Sequence, residues 1–139
     1  MPGKRGGAAR GEGGPGLSYR DYLGMVIAQR GDGEVIIELD ADERHLNRAG
    51  AVHGGVLASM ADTAIGVSVQ TKIDLETYYT VAAQLNISFI RGAQTGRLVA
   101  RGVVTSVGRR LAFAEAEIRQ GDTLVAKASG VVYIKRRDH

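Results

Sequence analysis

The chain has no cysteine and no tryptophan, only two prolines, and aromatic residues fill just 5% of its 139 positions. Without a thiol, disulfide staples, thiolate nucleophiles and cysteine-ligated zinc are all excluded. The scarcity of aromatics leaves little to stack on nucleic-acid bases, and the placement of charge points the same way. The formal charge is +3, but Lys4, Arg5 and Arg10 against Glu12 give residues 1–16 a charge of +2, and Lys135, Arg136 and Arg137 against Asp138 give residues 135–139 another +2. The body, residues 17–134, is therefore slightly acidic, and no nucleic-acid partner is expected. No apolar run is long enough to cross a bilayer, and the basic start is not followed by the apolar segment of a signal peptide. No membrane partner and a cytoplasmic location are the corresponding expectations.

What is present is a hydrophobic content of 44%, enough for one compact domain with a real core. Residues 1–16 hold seven glycines, two prolines and almost nothing apolar, so they read as a flexible tail ahead of a single domain at 17–139. Ser18 precedes Tyr19, Tyr22 and Leu23 at helical spacing, which predicts a short capped helix. Residues 25–29 and 34–39 flank Arg30-Gly31-Asp32-Gly33 and read as a hairpin. Alternation through Val81, Ala83, Leu85, Ile87 and Phe89 marks a strand. Further runs at 96–107, 111–119 and 122–133 are split by Gly108-Arg109-Arg110 and Gln120-Gly121. In the last run Leu124, Ala126, Ala128, Gly130 and Val132 are assigned to one face, and Thr123, Val125, Lys127, Ser129, Val131 and Tyr133 to the other.

The chain is organised around residues 47–70. A polar, glycine-bearing loop turns there into a run of Val, Leu, Ala, Met and Ile over 56–69, small and apolar around most of its circumference, so the helix reads as buried. One carboxylate, Asp62, interrupts it. A buried charge needs a partner or a shifted pKa, so Asp62 is either a satisfied core group or a catalytic carboxylate facing a cleft. About six strands joined mostly by hairpins, with one long helix among them, give an α+β architecture: a curved antiparallel sheet around a single buried helix.

The order Asn47, His53-Gly54-Gly55, Asp62, placed at the start of a helix that precedes the main hairpins, resembles the PaaI-like, phenylacetate-degradation type of hotdog-fold acyl-CoA thioesterase. The resemblance covers about 19–134 and implies a sheet wrapped on the helix, with acyl-CoA hydrolysed between paired protomers and no cofactor or metal. It makes Asp62 the general base or nucleophile and the Gly54 N–H the donor to the thioester carbonyl. Asn47 and His53 orient the carbonyl, sulfur or water, and Gly55 lies in the substrate site. Many relatives carry a Ser or Thr that positions the attacking water four residues before the Asn of the strand after the helix. Here that position is Ala82, and Thr80, two residues earlier on the same face, is the candidate substitute. Arg91, Arg109 and Arg110, at strand ends and turns, are the candidates for the CoA phosphates.

Elementary geometry adds a constraint. Gly54 and Asp62 are eight positions apart, roughly 12 Å along one helix, whereas a base and an oxyanion donor must each lie about 3 Å from the reacting group. Both can act on one carbonyl only from different chains, so a homodimer, or a homotetramer built as a dimer of dimers, is expected. The alternatives are a noncatalytic acyl-CoA-binding module and an acyl-CoA hydratase. In hydratases of this fold the Asp usually precedes the His, the reverse of His53 and Asp62. His45, His53 and Asp62 do not make a compact metal motif.

Overall fold

The computed structural model describes residues 17–138. The glycine-rich tail expected at 1–16 lies outside them. Ser18 caps α1 (Tyr19–Leu23), accepting the Asp21 N–H, and Gly24 ends it with a left-handed φ of 91°. β1 (Val26–Gly31) and β2 (Glu34–Ala41) form the expected hairpin, turned by Asp32 and Gly33 with φ of 54° and 84°. Two consecutive positive φ values match the twist of the strands they join. A single 3₁₀ turn (Glu43–His45) and a loop lead into α2 (Gly54–Gln70). β3 (Tyr78–Phe89), β4 (Gly96–Val107), β5 (Leu111–Gln120) and β6 (Thr123–Arg136) complete one antiparallel sheet in the order β1-β2-β4-β5-β6-β3. This is the hotdog arrangement.

The helix lies on the inner face of the sheet. Val56, Leu57, Met60, Ala61, Ala64, Ile65, Val67 and Val69 meet Ile37 and Leu39 of β2, Leu98 and Ala100 of β4, and the alternating Ala112, Ala114, Ala116 and Ile118 of β5. The alanines matter because a wide helix and a curved sheet must fit within one core. The closest approach is at Gly102 in β4, where a Cβ would stand 2.5 Å from the carbonyl oxygen of Ala64.

The structure changes two details of the sequence reading. Val125 is buried, as is Ala126 beside it. The β5–β6 ladder steps from Ile118↔Ala126 to Arg119↔Leu124, so Val125 is an extra residue, and such a bulge resets the two-residue alternation. The second change concerns α2, which is not enclosed all round. A single sheet covers one side of it and leaves Gly55 and Asp62 exposed, with Ser59 and Gly66 half-buried. Among the described residues, no helix is long and apolar enough to cross a membrane.

Candidate active site

The loop before α2 is built around the side chain of Asn47. Its Oδ1 accepts the N–H groups of Ala49 at 2.9 Å and Ala51 at 3.1 Å, and its own N–H donates to the Ala51 carbonyl at 2.7 Å. With Oδ1 doubly engaged, the exposed Nδ2 is the free end of the amide, and it is a donor. The loop is fixed from two sides: the Val52 N–H donates to the Ala93 carbonyl and the His53 N–H to the His45 carbonyl, both at 2.8 Å. His45 is buried, its Nδ1 accepting the Asp42 N–H and its Nε2 donating to the Leu23 carbonyl. Nδ1 closes the cap of the 3₁₀ turn and Nε2 ties that turn to the end of α1, so both ring nitrogens are occupied and His45 is structural.

His53 is the N-cap of α2. Its Nδ1 accepts the Gly55 N–H at 2.7 Å, which in the neutral ring leaves the hydrogen on Nε2 as an exposed donor. This bond commits the Gly55 N–H to the cap, so of the two glycines expected in the site Gly55 has no free amide. The Gly54 N–H, by contrast, has no partner among the described residues. A Cβ at Gly54 would stand 3.3 Å from the ring of Phe89, so glycine lets the helix start sit under the end of β3 without displacing that ring. Nothing in the sequence linked Phe89 to Gly54. Three donors are thus left free in the loop and the first turn of α2: the Gly54 N–H, at the positive end of the helix dipole, Asn47 Nδ2 and His53 Nε2.

Asp62 is not a satisfied core aspartate. It accepts no hydrogen bond and makes no ion pair among the described residues, and desolvation by its packed surroundings pushes its carboxyl above the ordinary value of 3.8. An unpartnered carboxylate of raised basicity on an open helix face is suited to accept a proton from water. It does not share a centre with Gly54 inside this chain, because the helix separates them.

Of the remaining candidates, Thr80 is half-buried and its Oγ1 accepts from Gln70 Nε2 at 3.1 Å, which pins it near the end of α2 with its own proton free to donate. Ala82 is exposed and offers no polar group. Arg109 and Arg110 line a groove of about 860 Å³ with Lys72, Lys135 and Arg136, against Asp74 and Asp138. Among the described residues neither Arg109 nor Arg110 enters an ion pair, whereas Lys135 and Arg136 are held over the rings of Tyr133 and Tyr78. Arg91 is not in this groove. It follows the far end of β3, its N–H on the Val125 carbonyl.

Residues 49–127 match the family model described as the thioesterase superfamily. A conserved Pseudomonas aeruginosa protein, PA5202, is 32% identical and superposes with a TM-score of 0.81 over 84% of this chain and 93% of its own. A variant of the phenylacetic acid degradation protein PaaI from Thermus thermophilus is 28% identical, with a TM-score of 0.76 over 83% of this chain and 96% of its own. Acyl-coenzyme A thioesterase 13 of Pongo abelii is 27% identical across 73% of this chain and 72% of its own. The match takes in the end of the loop, with His53, then the whole helix and strands β3 to β5, Asn47 lying just before it, and the chain belongs to the thioesterase superfamily as a hotdog-fold thioesterase.

Proposed function

We propose that the chain hydrolyses acyl-CoA thioesters at two equivalent sites formed between paired copies. Each site takes Asp62 from one protomer and Asn47, His53 and the Gly54 N–H from its partner. The observation that carries this reading is the pair of unsatisfied groups on one helix, the Gly54 N–H at its start and the Asp62 carboxylate on its open face, held too far apart to meet within a chain.

Asp62 as general base removes a proton from water as its oxygen attacks the thioester carbon. The carbonyl becomes an oxyanion held by the Gly54 N–H with Asn47 Nδ2 or His53 Nε2 beside it. Collapse breaks the C–S bond, and the thiolate of CoA takes up the proton. The alternative, direct attack by the carboxylate through an anhydride that water then opens, uses the same residues.

Pairing is supported by β3, a twelve-residue strand with one edge unpaired and Val81, Phe89 and Ile90 exposed along and beyond it. Such an edge invites another strand, and a second β3 running antiparallel about a two-fold axis satisfies it. That pairing also resolves the scattered arginines. Arg91 sits past the end of β3 and the groove of Arg109 and Arg110 lies at its beginning, so antiparallel strands bring Arg91 of one protomer to the groove of the other. With Arg91, Arg109 and Arg110 all changed to Glu, KM for acyl-CoA is expected to rise about tenfold at low salt, the difference shrinking as salt screens the phosphates. An unchanged KM removes these residues from the CoA site.

Mixing two inactive variants tests the shared site. Asp62→Ala and Asn47→Ala chains are each expected to be nearly inactive. When they are unfolded and refolded together, random pairing makes half of the dimers hybrids, each with one intact site of two, so roughly a quarter of the original activity returns. Hybrids seen by native mass spectrometry without activity would place the site inside one chain.

A further inference from the structure

The end of β3 is pinned over the start of α2 at two points. The last β3–β6 pair is Phe89↔Ala126, and the bulge residue next to Ala126, Val125, takes the following two amides on one carbonyl: the Ile90 N–H at 2.9 Å and the Arg91 N–H at 3.3 Å. Bulges re-aim the side chains beside them, and here the side chain is that of Phe89. Further on, the carbonyl of buried Ala93 accepts the Val52 N–H at 2.8 Å, which ties the same segment to the loop just ahead of Gly54. Leu85, Ile87 and Phe89 alternate onto the helix side of β3. The first two pack against the core, whereas Phe89 lies beyond it, 55% exposed, with the far end of its ring against Gly54. A Cβ on Gly54 would stand 3.3 Å from both Cε1 and Cζ of that ring. The ring is therefore held in place by its backbone rather than by burial, and it covers the residue whose N–H has no partner among the described residues.

We infer that Phe89 is a positioning residue of the site proposed above: its ring keeps bulk water away from the Gly54 N–H, so that this donor stands free for the oxygen of the thioester carbonyl. The inference rests on that reading of the site. An open N–H would be bonded to water and would give up that bond each time a carbonyl arrives, and solvent around it would weaken its pull on the developing anion. Charges interact about four times more strongly at an effective dielectric of about 20 than in water, so even partial exclusion of water acts on the one step in which the oxygen becomes charged. A phenyl ring also carries no polar atom that could occupy the donor itself. The Val125 bulge and the glycine at 54 then serve one purpose, the first aiming the ring and the second leaving room for it.

The test follows exchange of the Gly54 amide with water by NMR in the full chain, beside steady-state kinetics on acyl-CoA esters. Phe89→Ala is expected to speed exchange at Gly54 severalfold, while the Ala49 and Ala51 amides, held by Asn47 Oδ1, and the Gly55 amide, held by His53, keep their rates. In the same variant kcat is expected to fall about tenfold, less than the roughly 10²–10³-fold cost of losing a whole donor, with KM nearly unchanged. Phe89→Tyr retains the ring and is expected to retain both the slow exchange and the parent kcat. If Phe89→Ala does not fold, Phe89→Val, suited to a strand, makes the same comparison. Unchanged exchange at Gly54 in an active chain overturns the inference alone, as does acceleration of all four amides together, which would mean a loosened loop, or a loss confined to KM. Absence of acyl-CoA hydrolysis by the unsubstituted chain overturns the proposed activity and this inference with it.

Discussion

Asp62→Asn is expected to lower kcat for acyl-CoA hydrolysis by at least ~10²-fold, the lower range for a positioned acid or base, with the fold intact. The amide keeps the shape of the carboxylate and cannot take a proton. Because desolvation raises the Asp62 carboxyl above its ordinary value of 3.8, the acid limb of kcat/KM is expected above that value, and activity falls as pH drops through it. The effect on stability has the opposite sign. A folded-state pKa above the unfolded value means that the folded chain binds more protons in that window, so stability declines as pH rises from the unfolded value to the folded one. Above the window the ionised group costs its full share, so the Asn variant is expected to melt no lower than its parent at neutral pH. Near-normal turnover by a folded Asp62→Asn chain, measured on a panel of acyl-CoA esters, would end the proposed mechanism.

Gly102→Ala is expected to be the most damaging single-methyl change in the sheet. Gly102 lies on β4, paired with Val35 and Ala116, and its Cβ would stand 2.5 Å from the Ala64 oxygen and 2.8 Å from the Ala64 carbonyl carbon. Replacing glycine stiffens the unfolded chain, which favours the native state by about 0.4–1 kcal/mol where the new side chain fits. Here the obstacle is backbone, which no rotamer change can clear, and overpacking at about 1–3 kcal/mol or more prevails. For a domain of this size that lowers Tm by roughly 5–10 °C. Gly92→Ala, with open space around it, is the control, expected within about 1 kcal/mol of the parent. Calorimetric melting of both decides it, and an unchanged Tm for Gly102→Ala would mean that helix and sheet separate at little cost.

These two positions also mark what the sequence could reveal. The long helix was legible because apolar residues crowd 56–69, and the hairpin at Asp32-Gly33 because that pair favours the backbone it adopts. Asn47, His53, Gly54 and Asp62 stood out by type and order, and the eightfold spacing of the last two carried the expectation of a shared site. What escaped depends on distant neighbours. The exposure of Asp62 follows from having one sheet and no second layer. The slip at Val125 follows from a bulge between strands, and the loss of the Gly55 amide from a histidine ring two residues earlier. Glycine at 102 looked like any other glycine until Ala64 was seen against it. The contact of Phe89 with Gly54 joins the end of β3 to the start of α2, with no pattern in either neighbourhood to announce it.

The open edge of β3 has one more consequence if a second β3 closes it. Gly54 and Asp62 of a lone chain face different half-sites, and so do Arg91 and Arg109, which means that an isolated copy holds only fragments of two reaction centres. When the chain is dilute enough to be mostly unpaired, the velocity then grows with the square of its concentration. It becomes linear only once nearly every copy has a mate. The amount of catalyst is thus set by encounters between copies, and a cell that halves its supply in the dilute regime keeps a quarter of the flux.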